Sequence, residues 1–278
     1  MGIRLEGKKV AEKFREDLKI LIEERLKKGQ RPPCLANILV GEDGGSVYYV
    51  NSQNTLCEKM GVSVKSINFN SGVEEIKLIE LIEQLNNDEN VDGIILQLPL
   101  PKHIDESKVT SMISYEKDID GLSSVSIGKL YKGEKCFYPC TPKGVIEMIK
   151  STGESIEGKS AVIVGRSNIV GKPVAQLLLN ENATVTICHS KTINLKGICK
   201  NADILISAMG KPGFITKDYI KKDAIVIDVG TTSVDGKLKG DVCYDEAIEI
   251  AKYITPVPGG VGTMTTTMLI KNLCEGLK

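Results

Sequence analysis

Residues 158–190 read GKSAVIVGRSNIVGKPVAQLLLNENATVTICHS. A short apolar run, Ser160–Val164, has the length and bounding glycines of a buried strand. It runs into Gly165-Arg-Ser-Asn-Ile-Val-Gly171, and helical spacing starts at about Val170. A second strand follows at Thr184–Cys188. Strand, glycine turn, helix and strand together make a parallel β-α-β unit. At its helix start, free amide groups and the helix dipole would favour a pyrophosphate, and glycine lets the backbone come close to it. The glycine spacing departs from Gly-x-Gly-x-x-Gly, so the context carries the reading more than the motif does.

The end of the second strand sharpens it. A fold that binds NAD usually presents Asp or Glu there, to the ribose hydroxyl. Here His189 is followed by Ser190, Lys191 and Thr192. With Arg166 after the first glycine, the site can hold a phosphate where a carboxylate would repel it, which favours NADP over NAD. His189 reads equally as a wall of the site and as a strand-end histidine with a satisfied hydrogen bond.

Outward from this unit, the α/β alternation continues in both directions. Strands are expected at Asp203–Ala208 and Ala224–Asp228, and the chain closes with a strand, a Gly/Pro-rich loop and a helix. On the other side, a helix is expected over 10–28, a buried strand at Cys34–Val40, and a helix capped by Ser46 that stops before Gly61. A strand near 62–69, a helix near 73–87, a strand over 91–98 and a short helix near 106–114 follow. A turn at Cys140–Gly144 precedes a helix near 145–151. The fold class is therefore α/β, two lobes flanking a cleft, the second a Rossmann-like parallel sheet. The lobes are expected at 1–140, with the C-terminal helix 262–278 packing back onto it, and at 141–261.

Length and composition agree: 278 residues suit about two domains at about 150 residues each. Lys plus Arg and Asp plus Glu are both 36, so no broad basic surface offers itself to nucleic acid. No apolar stretch reaches the roughly 18 residues of a membrane span, and the N-terminus has no secretory h-region. A cytoplasmic protein with reduced thiols is expected from this. The eight cysteines are scattered, and His103 and His189 stand alone, so no metal site is expected.

In the first half, Tyr49 and Gln53 are four apart, on one face of a helix. Gln97 ends the strand VDGIILQLPLP, where open α/β sheets place ligand contacts. Asp118 and Asp120 sit in a loop before Gly121. None of these is diagnostic alone.

Together with VGEDGGSVYYVNSQ, EKDIDGLSSVSIGKL, PCTPKGVIEMI, VIVGRSNIVGKP, ATVTICHS, GDVCYDEA and ITPVPGGVG, they carry a resemblance over nearly the whole chain. The sequence resembles the methylenetetrahydrofolate dehydrogenase/methenyltetrahydrofolate cyclohydrolase family. The resemblance implies NADP on the second lobe, a tetrahydrofolate derivative between the lobes, and a homodimer through the cofactor lobe. It implies that Tyr49 stacks on the folate ring and that Gln97, Leu98, Pro99 and Asp120 line the reacting pocket, closed by the loop bearing Pro258, Gly259 and Gly260. It implies cofactor contacts at Gly165, Arg166, Ser167, Ile169, His189, Ser190 and Gly230, with Thr141 near the nicotinamide. Tyr49, Gln53, Gln97 and Asp120 are the expected catalytic set.

One departure bears on function. The family has a lysine four residues after the tyrosine, and this chain has Gln53. Hydride transfer from 5,10-methylenetetrahydrofolate to NADP+ needs orientation and no protein acid or base. Cyclohydrolysis moves protons, and glutamine cannot titrate; a lost general acid–base is worth roughly 10²–10⁴ in rate. The expectation is therefore an NADP-dependent dehydrogenase of one-carbon metabolism with weak or absent cyclohydrolase activity. The alternatives are a bifunctional enzyme that also forms 10-formyltetrahydrofolate and a non-catalytic NADP- or folate-binding regulator. A second departure, Thr263 in place of the family's proline, is expected to cap the terminal helix.

Overall fold

The computed structural model describes residues 1–277. The chain divides into two compact units: Met1–Glu12 with Thr141–Thr267, and Lys13–Cys140 with the chain from Met268 on. All three chain crossings between them, at 12/13, 140/141 and 267/268, fall inside helices.

The chain opens with β1 (Ile3–Arg4) and α1 (Gly7–Lys27). The 13–140 unit then lays down β2 (Cys34–Val40), α2 (Gly44–Lys59), β3 (Ser63–Phe69), α3 (Glu75–Asn87), β4 (Gly93–Leu96), α4 (Glu106–Ser111) and α5 (Ser124–Lys132). Its sheet has the order β3-β2-β4 and is parallel throughout. Parallel neighbours need crossovers, and α2 and α3 supply them. Strand β2 is central and buried at every residue, which is why it reads as an unbroken apolar run. Its one exception is Asn37, fully buried and level with Ser66 and Ile95.

Several expectations are corrected here. Ser46 does not cap α2: Asp43 does, accepting the Ser46 N–H at 2.9 Å. A carboxylate complements the helix N-terminus better than a hydroxyl, and the helix starts earlier, at Gly44. The 91–98 strand is confined to Gly93–Leu96, because Asp92 receives Arg31 at its start and the prolines at 99 and 101, which have no N–H to give a ladder, follow its end. Helix α5, capped by Ser123, was not expected.

The 141–267 unit contains α6 (Cys140–Lys150), β5 (Ser160–Val164), α7 (Gly171–Asn180), β6 (Thr184–Cys188), α8 (Leu195–Cys199), β7 (Ile204–Ser207), β8 (Ile225–Asp228), β9 (Thr232–Val234), β10 (Lys237–Lys239), α9 (Tyr244–Ala247), β11 (Tyr253–Ile254) and α10 (Val261–Glu275). The first residue of α6 and the last turns of α10 belong to the other unit. The expected turn at Cys140–Gly144 is the first turn of α6. Proline at 142 is tolerated there because N–H groups in a first turn have no intrahelical partner. The six-stranded sheet has the order β1-β11-β8-β7-β5-β6, every neighbouring pair parallel. The chain leaves β5 for β6 on one side and returns to β7 on the other, so the order switches between β5 and β7. An unexpected antiparallel hairpin, β9–β10, turns on Asp235-Gly236, both at positive φ. Thr263 lies within the first turn of α10 rather than at its cap, its N–H reaching Gly260 O at 3.3 Å.

All eight cysteines are free thiols. Among the described residues no helix is long and apolar enough to cross a membrane.

Candidate functional site

In the 13–140 unit the candidate residues gather at the C-terminal edge of the three-stranded sheet. Gln97 follows β4, and its N–H donates to Ile38 O on β2 at 2.9 Å. The segment after α4 runs parallel to β4, pairing Asp118 with Ile94. The chain turns directly after this bridge, the Gly121 N–H donating to Asp118 O at 2.9 Å, and Asp120 lies in that turn. Gln97 and Leu98 are half-buried and Pro99 is exposed; Gln97 Nε2 donates to Leu98 O at 3.2 Å.

Asp120 is fixed from several sides. Asn272 of α10 donates from Nδ2 to Ile119 O at 2.8 Å and to Tyr138 O at 2.9 Å. Gly121 takes φ +67, and a Cβ there would stand 2.6 Å from Phe137 O. Asp118 is buried and accepts the N–H groups of Ser123 (2.8 Å) and Leu122 (3.2 Å). Burial, and then the charge of Asp118, push the Asp120 carboxyl up to about 6; hydrogen bonds from Cys140 offset part of this. A carboxyl poised there can take and return a proton near neutral pH.

Helix α2 begins at the same edge and carries half-buried Tyr49 and, one turn on, Gln53, which is 4% exposed. The Gln53 carboxamide meets strand β2: Asn37 Nδ2 donates to Gln53 Oε1 at 3.1 Å and to Asn54 Oδ1 at 2.9 Å, and Asn54 Nδ2 donates to Ser66 Oγ at 3.3 Å. Reversing all three amides would leave both Asn37 N–H groups buried without acceptors. The observed sense uses both and orphans only Asn37 Oδ1. An orphaned buried acceptor costs about 1–3 kcal/mol. Asn37 was missed from the sequence, although a lone amide inside CLANILV was a signal.

In the 141–267 unit the candidates lie in loops at the C-terminal edge of the parallel sheet. Gly165, at the end of β5, takes φ +140, and a Cβ there would meet Ala208 O, at the end of β7, at 2.3 Å. A Cβ on Gly171 would meet Gly165 O at 2.3 Å. Glycine is thus required where the switch point narrows. Ser167 Oγ accepts the N–H groups of Val170 (3.2 Å) and Gly171 (3.3 Å), shaping the start of α7 while Arg166, Ser167 and Ile169 stay exposed.

After β6, Thr192 Oγ1 accepts the His189 N–H at 2.8 Å, and the His189 ring takes the Lys191 N–H on Nδ1 at 3.1 Å. The histidine thereby shapes a turn that leaves Ser190 exposed. Gly230, after β8, donates to Asp228 Oδ1 at 2.9 Å, and a Cβ on it would meet Asp241 Oδ1 at 2.4 Å. Asp241 in turn gathers Ser207 Oγ and the N–H groups of Met209, Gly210 and Lys211. Neither buried aspartate was singled out from sequence. Pro258 and Gly259 are exposed; Gly260 is buried, and a Cβ there would meet Pro256 O at 2.5 Å. Thr141 Oγ1 lies 2.9 Å from Thr265 Oγ1.

These residues fit a phosphorylated dinucleotide: a glycine cradle at a helix start, a guanidinium and a hydroxyl beside it, and no acid after β6. Among the described residues no three His, Cys, Asp or Glu side chains could hold a metal ion.

Residues 139–278 match the NAD(P)-binding domain, and residues 5–120 the catalytic domain, of tetrahydrofolate dehydrogenase/cyclohydrolase. The chain is 67% identical to a protein of Clostridium novyi named bifunctional protein FolD, over 100% of both chains. Among solved structures, the bifunctional methylenetetrahydrofolate dehydrogenase/cyclohydrolase of Campylobacter jejuni superposes with a TM-score of 0.97 at 41% identity, over 99% of this chain and 98% of that one. The Trypanosoma brucei methylenetetrahydrofolate dehydrogenase-cyclohydrolase, complexed with NADP and an inhibitor, gives 0.93 at 38%, over 98% and 96%. Relatives this similar are named bifunctional, which supports the bifunctional alternative over the weak or absent cyclohydrolase activity expected from Gln53.

Proposed function

Because the chain belongs to the tetrahydrofolate dehydrogenase/cyclohydrolase family, we propose that it oxidises 5,10-methylenetetrahydrofolate with NADP+ and hydrolyses the methenyl product to 10-formyltetrahydrofolate. NADP+, when bound, supplies the hydride acceptor. Gly165, Arg166, Ser167, Ile169, His189, Ser190, Gly230 and Thr141 are the residues proposed to hold it. The absence of an acid after β6 supports the 2′-phosphorylated form. For this step the protein supplies orientation, because the methenyl cation is shared between two nitrogens and no proton moves. Tyr49, Gln97, Leu98, Pro99 and the Pro258–Gly260 loop are the proposed contacts to the folate.

Ring opening does need proton transfer, and the observation that carries this reading is the half-buried Asp120 carboxyl at the sheet edge, raised to about 6. Water adds to the methenyl carbon while the Asp120 carboxylate accepts one of its protons. The carboxyl returns that proton to N5 as the bond from N5 to this carbon breaks. The remaining hydroxyl proton leaves to solvent, and the formyl group stays on N10. Gln53 cannot titrate, but its amide can orient the attacking water. This divides between two side chains what a single lysine does in other members of the family.

The test runs both reactions on one protein sample. Cofactor reduction with methylenetetrahydrofolate and NADP+, together with accelerated loss of synthetic methenyltetrahydrofolate above buffer, is the expected result. Cofactor reduction with methenyl loss no faster than buffer would sink the bifunctional reading. We further propose a homodimer through the 141–267 unit, where β6 is a sheet edge carrying exposed Ile187 and Leu179 lies exposed in the preceding helix. Light scattering that gave a monomer mass would refute it.

A further inference from the structure

We infer that Asp241 is a positioning residue for the cofactor: its buried carboxylate fills, from within the chain, a cradle of main-chain N–H groups after β7 and so holds the cofactor loops in their binding shape before NADP+ arrives. The inference rests on the proposed set of cofactor contacts. It adds a residue that acts through two of them, Gly165 and Gly230.

Three observations support the assignment. First, the donors on Asp241 converge from one loop. Its Oδ2 accepts Ser207 Oγ at 3.0 Å and the N–H groups of Met209 at 2.8 Å and Gly210 at 3.3 Å, and its Oδ1 accepts the Lys211 N–H at 2.6 Å. Successive N–H groups turned to one point make an anion-binding concavity, and here the anion belongs to the protein itself. Second, residues 210–214 are exposed, whereas Asp241 is fully buried. Water could satisfy the amides of an exposed loop, and a buried carboxylate is costly unless hydrogen bonds offset it. The chain nevertheless turns these N–H groups inward, and what results is one fixed loop shape. The far end of the loop is tied to the same place: the Gly213 N–H donates to Gly240 O at 3.0 Å and the Ile215 N–H to Asp241 O at 2.9 Å. Third, the carboxylate packs where the proposed cofactor contacts are. A Cβ on Gly230 would stand 2.4 Å from Asp241 Oδ1, and the N–H groups of Gly230 and Asp241 share Asp228 Oδ1, at 2.9 and 3.0 Å. The held loop begins at Ala208, whose oxygen lies against Gly165 at the switch point.

The arrangement has two consequences for binding. The N–H groups of Met209, Gly210 and Lys211 are already engaged by a carboxylate, so the pyrophosphate is directed away from them to the start of α7. A loop ordered before binding also takes less from the affinity than one that the nucleotide must order itself. Being fully buried, Asp241 acts through the loop and through Gly230 rather than by touching the cofactor.

The experiment measures NADPH affinity by fluorescence titration for wild type, Asp241→Ala and Asp241→Asn, in formate and in chloride at the same ionic strength, alongside thermal melts. Asp241→Ala removes a group the size of formate and leaves the cradle open. It should weaken NADPH binding about tenfold or more, the scale of a loop that must be ordered on binding. Formate should recover part of that loss and chloride none, with wild type indifferent to the change of salt. KM for NADP+ should rise by a similar factor, while kcat at saturating cofactor falls much less. Asp241→Asn keeps the volume, but whichever way its amide turns, the NH2 meets an N–H donor. It should weaken NADPH binding severalfold, and it carries the test if the alanine variant folds poorly. A folded variant with wild-type NADPH affinity, or a loss in Asp241→Ala that formate relieves no more than chloride does, would overturn the inference in favour of a merely structural carboxylate. A fall in kcat with KM for NADP+ unchanged would overturn it as well. Wild type that bound no NADPH would remove the cofactor reading itself, and this inference with it.

Discussion

Asn272 Nδ2 donates to the main-chain oxygen of Ile119 at 2.8 Å, and so fixes the residue that precedes Asp120. The same amide group reaches Tyr138 O at 2.9 Å. Asn272 and Ile119 are fully buried, so the Ile119 carbonyl finds no water if the amide is lost. Asn272→Leu, similar in size, should destabilise the protein by roughly 2–4 kcal/mol, the cost of one or two orphaned buried acceptors. Urea unfolding followed by circular dichroism reads this. A variant within about 0.5 kcal/mol of wild type, the range of a neutral surface change, would show that these carbonyls find other partners.

Asp120 gives the pH dependence its sign. Its carboxyl is raised from 3.8 to about 6, and the proposed ring opening uses the carboxylate as a base. Enzyme-catalysed hydrolysis, after subtraction of the buffer rate, should therefore rise with pH through about 6 and then level off. Asp120→Asn should lower it by about 10²-fold or more and abolish the inflection. Stability runs the other way. A carboxyl with a raised folded-state pKa contributes stability below its ordinary pKa of 3.8, and this is lost as pH rises through about 6. Asp120→Asn should thus be stabilised relative to wild type more at pH 7.5 than at pH 4. An unchanged pH profile in the variant would mean that another group moves the proton.

How far the sequence could reach follows from what each signal depends on. Strands β2 and β5 begin and end where their apolar runs do, because parallel strands buried on both faces need such runs, whereas the edge strand β6 shows itself by its β-branched residues. Helix α5 was invisible because SVSIGKLYK mixes serine and glycine into a weak helical pattern, and its clearest sign is the Ser123 cap. The β9–β10 hairpin did carry the signal of Asp235-Gly236, but with strands of three residues. At the site, the proposals for Tyr49, Gln97 and Asp120 start from resemblance and strand-end position. The surroundings of Asp120 and Gln53 were not legible. The raised pKa of Asp120 comes from burial and from Asp118, and the orientation of Gln53 comes from Asn37, 16 residues away in sequence.

Gly165 is where the cofactor loop tolerates least. Its φ of +140 suits glycine, and a methyl group would stand 2.3 Å from Ala208 O, a backbone atom that cannot swing aside. Gly165→Ala should therefore force β5 and β7 apart at the switch point. The strain alone is worth roughly 1–3 kcal/mol. NADPH affinity should drop about tenfold or more, the equivalent of at least 1.4 kcal/mol. Fluorescence titration with NADPH and a thermal melt measure the two effects. Affinity within a factor of two of wild type would show that the cofactor does not depend on this approach.

Cofactor choice depends on the turn after β6. Ser190 is exposed, followed by Lys191, and no acid is present from His189 to Thr192. Placing a carboxylate there sets a like charge against the 2′-phosphate of NADP+, while the same carboxylate can accept hydrogen bonds from the free ribose hydroxyls of NAD+. Ser190→Asp should lower kcat/KM for NADP+ by about 10²-fold, the equivalent of roughly 2.7 kcal/mol of repulsion at the transition state. The value for NAD+ should hold or rise. Hydrolysis of methenyltetrahydrofolate, assayed without cofactor, should not change, because Ser190 is proposed to contact only the nucleotide. Steady-state kinetics with both nucleotides decide the matter through the ratio of the two kcat/KM values. A ratio left where it was would place the 2′-phosphate elsewhere, with Arg166 as the next residue to vary.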